Sequence, residues 1–163
     1  MGNTYSILPL NSSTSTSTST LTWTSINRLD FAELQKAIKT GTIMINTIDS
    51  HRQQCLIKNT IHADREIEII NRIMEQNAGK NGMIDIKIII YGENSCDMSI
   101  IKKYHQLWEL GFRNIHVYIG GLFEWLLLQD IFGETEFPTT SKINNPLIYG
   151  HCNRLLLQHK NPV

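Results

Sequence analysis

The chemistry of this chain turns on six consecutive residues: Gly92, Glu93, Asn94, Ser95, Cys96 and Asp97. They separate an apolar run, 84–91, from an amphipathic stretch, 97–110. A polar loop between a strand and a helix meets the helix N-terminus, whose backbone N–H groups favour an anion. The same field favours a thiolate, which makes Cys96 a candidate nucleophile. Glu93 and Asp97 oppose that thiolate by adding negative charge beside it. Asp97 also has the side chain of a helix cap.

The other reactive residue types stand apart. Three cysteines occur, Cys55, Cys96 and Cys152. An odd number at wide spacing argues against a disulfide framework, so free thiols and a reducing cytosol are expected. Cys55 lies in an apolar segment and reads as a small core residue. No Cys-x-x-Cys pair and no histidine at zinc-ligand spacing is present, so neither a metal nor a cofactor is expected. His51 and His62 have no paired acid or nucleophile in sequence, and His105 and His116 are single residues in a helix and a strand. Neither a Gly-x-Ser-x-Gly elbow nor a Gly-rich phosphate loop with its lysine occurs. Lys plus Arg and Asp plus Glu both number 15, and the basic residues are scattered. No nucleic-acid partner is therefore expected.

Alternating elements must position the loop. Asp30 caps a helix over 30–39 with Phe31, Leu34 and Ile38 on one face, stopped by Gly41. Thr42 to Thr47 reads as a strand, and Cys55 to Ile57 with Thr60 and Ile61 as a second extended segment. The spacing of Ile67, Ile70, Ile73 and Met74 predicts an amphipathic helix over 64–76, broken at Gly79 to Gly82. The apolar run 84–91 predicts a central parallel strand buried on both faces. Ile100, Ile101, Tyr104, Leu107 and Trp108 place a helix over 97–110, stopped by Gly111. A strand over 114–119 and an apolar helix over 122–131 follow the turn at Gly120-Gly121. Trp125 and Phe123 read as packing at the start of that helix. Strands alternating with helices imply a mainly parallel sheet flanked by helices on both faces, an α/β fold.

The ends differ from this core. Residues 1–25 include an almost pure Ser/Thr tract, Asn11 to Thr20, with no apolar face to bury. Such a tract is expected to be a disordered tether. Met1-Gly2-Asn3-Thr4-Tyr5-Ser6 fits the N-myristoylation pattern, with Gly2 as the acceptor. An acylated Gly2 would bring the domain to a membrane surface, held only reversibly by one chain. The start lacks the basic and apolar segments of a signal peptide. No apolar run approaches the ~20 residues that a spanning helix needs. The expected organisation is a tether over 1–25, one folded domain over 28–138 and a tail over 139–163. The tail's Leu155-Leu156-Leu157 either packs back as a helical turn or stays loose. The expected location is cytoplasmic, peripheral to a membrane if Gly2 is acylated.

From the loop onward, three motifs agree in order and distance: Leu110-Gly111-Phe112, Gly120-Gly121 and Trp125. Together with the strand-loop-helix before them they resemble the rhodanese-like superfamily of sulfurtransferases and Cdc25-type phosphatases. The resemblance spans about Phe31 to Phe137. Its first half is approximate, with Asn46 where the family has Asp and Ile48 where it has Arg. Glu124 to Gly133 with Glu136 to Thr140 looks like a divergent branch of that family. The resemblance implies an active loop Cys-x-x-Gly-x-Arg, on which Gly92 takes the place of the cysteine, Ser95 that of the glycine and Asp97 that of the arginine.

Glycine at position 92 cannot carry a persulfide or phosphoryl group. The expected function is therefore a non-catalytic rhodanese-homology domain, a binding or regulatory module for an unidentified protein partner. The alternative is a thiosulfate-type sulfurtransferase or a phosphatase using Cys96 as a relocated nucleophile. A third reading makes the loop a pocket for a cationic or neutral ligand held by Glu93 and Asp97.

Overall fold

Ile88, Ile89, Ile90 and Tyr91 are all completely buried, as a strand covered on both faces requires. The computed structural model describes residues 26–78 and 83–152. These form β1 (Asn27–Leu29), α1 (Phe31–Thr40), β2 (Ile43–Asn46), β3 (Thr60–Ile61), α2 (Ala63–Gln76), β4 (Ile88–Tyr91), α3 (Ser99–Glu109), β5 (Ile115–Tyr118) and α4 (Gly121–Phe132). Short 3₁₀ turns occupy Ser50–Arg52 and Pro146–Tyr149. The strand order is β1-β5-β4-β2-β3, and every pairing is parallel.

Alternation along β4 divides the core into two layers. Ile89 and Tyr91 pack with Leu34, Ala37 and Ile38 of α1 and Leu122, Trp125 and Leu126 of α4. Ile88 and Ile90 pack with Ile70 and Ile73 of α2 and Ile100, Tyr104 and Leu107 of α3. The domain is therefore an α/β sandwich with a parallel five-stranded sheet and two helices on each face.

Local chemistry sets the element ends. Asp30 Oδ1 accepts from Glu33 N–H at 2.8 Å, and Glu33 Oε2 accepts from Asp30 N–H at 3.0 Å. This reciprocal capping box satisfies donors that the first turn leaves open. Gly41, at φ +69°, ends α1 in the left-handed conformation.

Several elements differ from their sequence reading. The edge strand β1 was not apparent: three residues are too few to show alternation. The strand expected over 84–91 is regular only from Ile88, while Ile84 makes a single bridge to Phe112. The helix expected from Asp97 begins at Ser99, because Asp97 turns its carboxylate into the preceding loop. Ile67 is 72% exposed and Trp108 36%. Each lies at the edge of its helix's apolar stripe. Trp108 stacks on Tyr104 and carries the Arg113 guanidinium 4.3 Å from its ring. Phe31 is also partly exposed, resting on Phe137.

The chain beyond the expected boundary at Pro138 packs back on the domain. Thr139 bridges Ile57, Thr140 N–H donates to Leu56 O at 2.8 Å, and Tyr149 is buried in the core. The tether over 1–25 with Gly2, the break at Gly79 to Gly82 and Leu155 to Leu157 lie outside the described residues.

The two-layer core predicts unequal costs for equal truncations. Ile90→Ala should lower the unfolding free energy by about 2–5 kcal/mol. Ile67→Ala should change it by less than about 0.5 kcal/mol. Denaturant titration of both variants measures the difference.

Candidate functional site

Strands β2 and β4 run side by side and end together, with Asn46 opposite Tyr91. From there the chain leaves in opposite directions, β2 toward β3 and β4 toward α3 and β5. A crevice opens beyond the carboxyl ends of such strands, where ligands commonly bind in parallel α/β sheets. Thr47 N–H donates to Tyr91 O at 3.0 Å and closes its floor. Tyr91 itself turns into the core, where its hydroxyl accepts from Ile57 N–H at 3.2 Å and lies 2.9 Å from Thr60 Oγ1. Burial pushes that phenol well above its ordinary range, so it stays protonated.

The loop from Gly92 to Met98 is organised around the side chain of Asp97. Its Oδ2 accepts from Glu93 N–H at 3.1 Å and from the Thr47 hydroxyl at 3.2 Å. Its Oδ1 accepts from Ser99 N–H at 2.9 Å and from the Ser99 hydroxyl. A carboxylate thus occupies the inside of the strand-to-helix turn. Gly92 is the first residue after β4, and a Cβ there would lie 2.3 Å from Asp97 Oδ2. That separation is far inside van der Waals contact, so any side chain at position 92 must displace Asp97.

Helix α4 braces the loop from the other side. Leu122 N–H donates to Gly92 O at 2.9 Å, and Phe123 N–H to Glu93 O at 2.8 Å. These bonds satisfy donors of the first helical turn. The close approach requires Gly121, whose φ is +65° and whose added Cβ would meet Gly92 O at 2.6 Å. Trp125, fully buried one turn on, donates from Nε1 to Pro138 O at 3.2 Å.

The remaining loop side chains reach in three directions. Glu93 pairs with Arg52, whose Nη2 also donates to Ile148 O at 2.6 Å. Burial raises the Glu93 carboxyl above its ordinary range, Arg52 opposes the rise, and Asp97 and Asp49 add to it. Asn94 is buried, donating from Nδ2 to Tyr149 O at 2.6 Å and to His151 O at 3.1 Å. Its Oδ1 accepts from Cys96 N–H at 2.9 Å. Ser95 is exposed and belongs to a separate surface beside Tyr118 and Gly120.

Cys96 is joined to Cys152 by a disulfide, with their Cα atoms 5.6 Å apart. This corrects the expectation of free thiols. Sequence spacing misleads because the returning segment 139–152 carries Cys152 back across 56 residues to the loop. The cysteine count consequently carries no information about compartment. Cys55 alone is free, and it is buried as expected, with Sγ donating to Ser141 O at 3.1 Å.

Together these residues border a cleft of about 420 Å³, with Thr47, Asp49, Arg52, Glu93, Asp97, Ser99 and His151 among its walls. Three carboxylates therefore face one arginine and one histidine. Arg52, Asp49, Thr47 and His151 were not singled out from the sequence. Only the parallel pairing of β2 with β4 and the return of the last segment bring them in. The resemblance placed Ile48 where the family has arginine. Ile48 is buried in the core, and the positive charge comes from Arg52. His51, His62, His105 and His116 do not line the cleft. His116 bonds Asn114 Oδ1 at 2.9 Å, and burial lowers its pKa. Among the described residues no cluster of His, Cys, Asp and Glu is arranged to hold a metal ion.

The sequence of residues 30–128 matches the Rhodanese-like domain. The chain belongs to the rhodanese-like domain family. Among solved structures, the Alr3790 protein from Anabaena sp. is 17% identical with TM-score 0.46, over 81% of this chain and 94% of its own. A yeast protein, Ygr203w, described as a protein tyrosine phosphatase of the rhodanese family, is 17% identical with TM-score 0.48, over 76% of this chain and 96% of its own. A second structure of Ygr203w from Saccharomyces cerevisiae, described as a homolog of single-domain rhodanese and the Cdc25 phosphatase catalytic domain, is 19% identical with TM-score 0.47 over 74% and 90%. No curated protein matches the chain. Within this rhodanese-like domain, no described helix is long and apolar enough to cross a membrane.

The electrostatics of Glu93 predict a pH signature. Its folded pKa is raised from 4.5, so the folded state holds the proton more tightly than the unfolded state. Stability from this group is present below 4.5 and is lost as pH rises through the folded value. Denaturation midpoints across pH should show this decline in the wild type, and Glu93→Gln should remove it.

Proposed function

We propose that this rhodanese-like domain is a non-catalytic binding or regulatory module. The observation that carries the reading is Asp97, whose carboxylate accepts the Glu93 and Ser99 N–H groups. In the family resemblance, inward N–H groups of this loop hold the anionic substrate at the strand-end cysteine. Here the strand-end residue is Gly92, and an anion already covalently part of the chain takes those donors. Thiosulfate or phosphate would have to displace Asp97 and approach Asp49 and Glu93 as well. Like charges at such distances raise the cost of entry.

The competing reading is a sulfurtransferase or phosphatase that uses Cys96. It requires a free thiolate, and Cys96 is bonded to Cys152 in this structure. It also requires the thiol to face the donors, which Asp97 occupies. The composition of the cleft favours a partner group that is neutral or cationic. A basic or amide-rich protein segment fits its three carboxylates and single arginine better than an anion does.

The N-terminal motif extends the reading to location. An acylated Gly2 would place the domain at a membrane surface, with the marginal and reversible affinity of one acyl chain. Chain co-expressed with an N-myristoyltransferase should gain one acyl group and co-sediment weakly with lipid vesicles. Gly2→Ala should lose both properties, and an unmodified wild-type mass would remove this part of the proposal.

Catalysis is tested by sulfur loading. The reduced chain, treated with thiosulfate and followed by intact-protein mass spectrometry, should gain no stable sulfur. Gly92→Cys should also fail to load while Asp97 is present. A stable added sulfur on the wild type, lost in Cys96→Ser, would establish the enzyme reading instead.

A further inference from the structure

The segment that returns to the loop is fixed to it by two kinds of attachment. Its inner end is held by burial: Tyr149 is 1% exposed and donates from its hydroxyl to Arg52 O at 2.9 Å. Its outer end, His151 and Cys152, lies at the border of the cleft. There the attachments are the Asn94 amide, which donates to His151 O at 3.1 Å, and the disulfide to Cys96. Cys96 is exposed and Cys152 half-buried, so the Cys96 end of the bond is the more open one. The third cysteine of the chain, Cys55, is completely buried and cannot compete for either partner.

We propose that Cys96–Cys152 is a reversible thiol–disulfide exchange site for a small thiol of the glutathione class, and that its reduction frees the outer end of the returning segment from the mouth of the cleft. Access selects the point of attack. The thiolate of the small thiol attacks Cys96 Sγ, a mixed disulfide forms there, and Cys152 leaves as a thiolate that takes a proton from water. A second small thiolate attacks the small-thiol sulfur of that mixed disulfide. The symmetrical small disulfide departs, and Cys96 leaves as a thiolate that is protonated in turn. The protein disulfide gains two electrons and two protons, and two small thiols are oxidised. Oxidised small thiol reverses each step.

The structural consequence is local. With the bond open, one amide hydrogen bond from Asn94 is the remaining attachment described at His151 and Cys152. Tyr149 stays in the core and keeps the inner end in place. The wall of the cleft formed by His151 and Cys152 is thereby made movable, while the floor at Tyr91 and Thr47 is not. This inference does not rest on the binding-module reading: exchange and release occur whether or not the cleft takes a partner.

The experiment uses the full chain equilibrated in buffers spanning reduced to oxidised glutathione, quenched by alkylation and mapped by mass spectrometry. Cys96 and Cys152 should become alkylated together in reduced buffer and protected together in oxidised buffer, with Cys55 protected throughout. In Cys152→Ser, oxidised glutathione should leave one glutathione adduct, on Cys96. Hydrogen exchange of the wild type should accelerate on reduction at residues 150–152 and in the loop 93–98, with β4 unchanged. Two thiols that are labelled, or protected, at every ratio would overturn the exchange site. Paired labelling with unchanged exchange at 150–152 would overturn the release.

Discussion

The placement of one carboxylate governs the architecture of this site. Asp97 folds back from the start of α3 and accepts the N–H groups of Glu93 and Ser99 together with the hydroxyls of Thr47 and Ser99. A strand-to-helix turn gathers backbone donors that need an acceptor, since buried N–H groups left unpaired are costly. In this chain the acceptor is internal. That choice favours glycine at position 92, because a Cβ there would be 2.3 Å from Asp97 Oδ2 and would push the carboxylate aside. Gly92 and Asp97 therefore form one structural unit.

The same unit links parts of the chain that are distant in sequence. Thr47 bonds Asp97 from the end of β2, and Arg52 reaches Glu93 from the 3₁₀ turn that follows. Gly121 lets α4 come close enough for Leu122 and Phe123 to donate to the loop carbonyls. Asn94 and Cys96 receive the returning segment through an amide and a disulfide. The protein itself thus satisfies the Glu93, Cys96, Asp97 and Ser99 N–H groups and the Gly92, Glu93 and Asn94 carbonyls. Asp97 closes the turn from within, and a cleft with three carboxylates lies beside it.

The sheet and the loop's position were legible in the sequence for physical reasons. Ile88 to Tyr91 are apolar without alternation, which marks a strand covered on both sides, and Asp30 with Glu33 carries the signature of a capped helix. Leu110-Gly111-Phe112 marks the turn from α3 towards β5, Gly120-Gly121 the turn from β5 into α4, and Trp125 the buried face of α4. What sequence did not reveal depends on long-range pairing. Arg52 and Asp49 enter the site only because β2 lies beside β4. The disulfide exists only because residues 139–152 return to the loop, and the number of cysteines cannot report that path. The role of Asp97 was not legible: it reads as the cap of α3, whereas the N-cap is Met98 and the Asp97 carboxylate is taken up by the turn before the helix.

The most direct measurement is an anion titration followed through the backbone amides of the isotope-labelled chain. Phosphate and thiosulfate should leave the amide resonances of Glu93 and Ser99 unmoved in the wild type, and should shift both in Asp97→Ala, where the donors are released. Saturable shifts at Glu93 and Ser99 in the wild type would mean that the turn still accepts an outside anion, and would contradict the account.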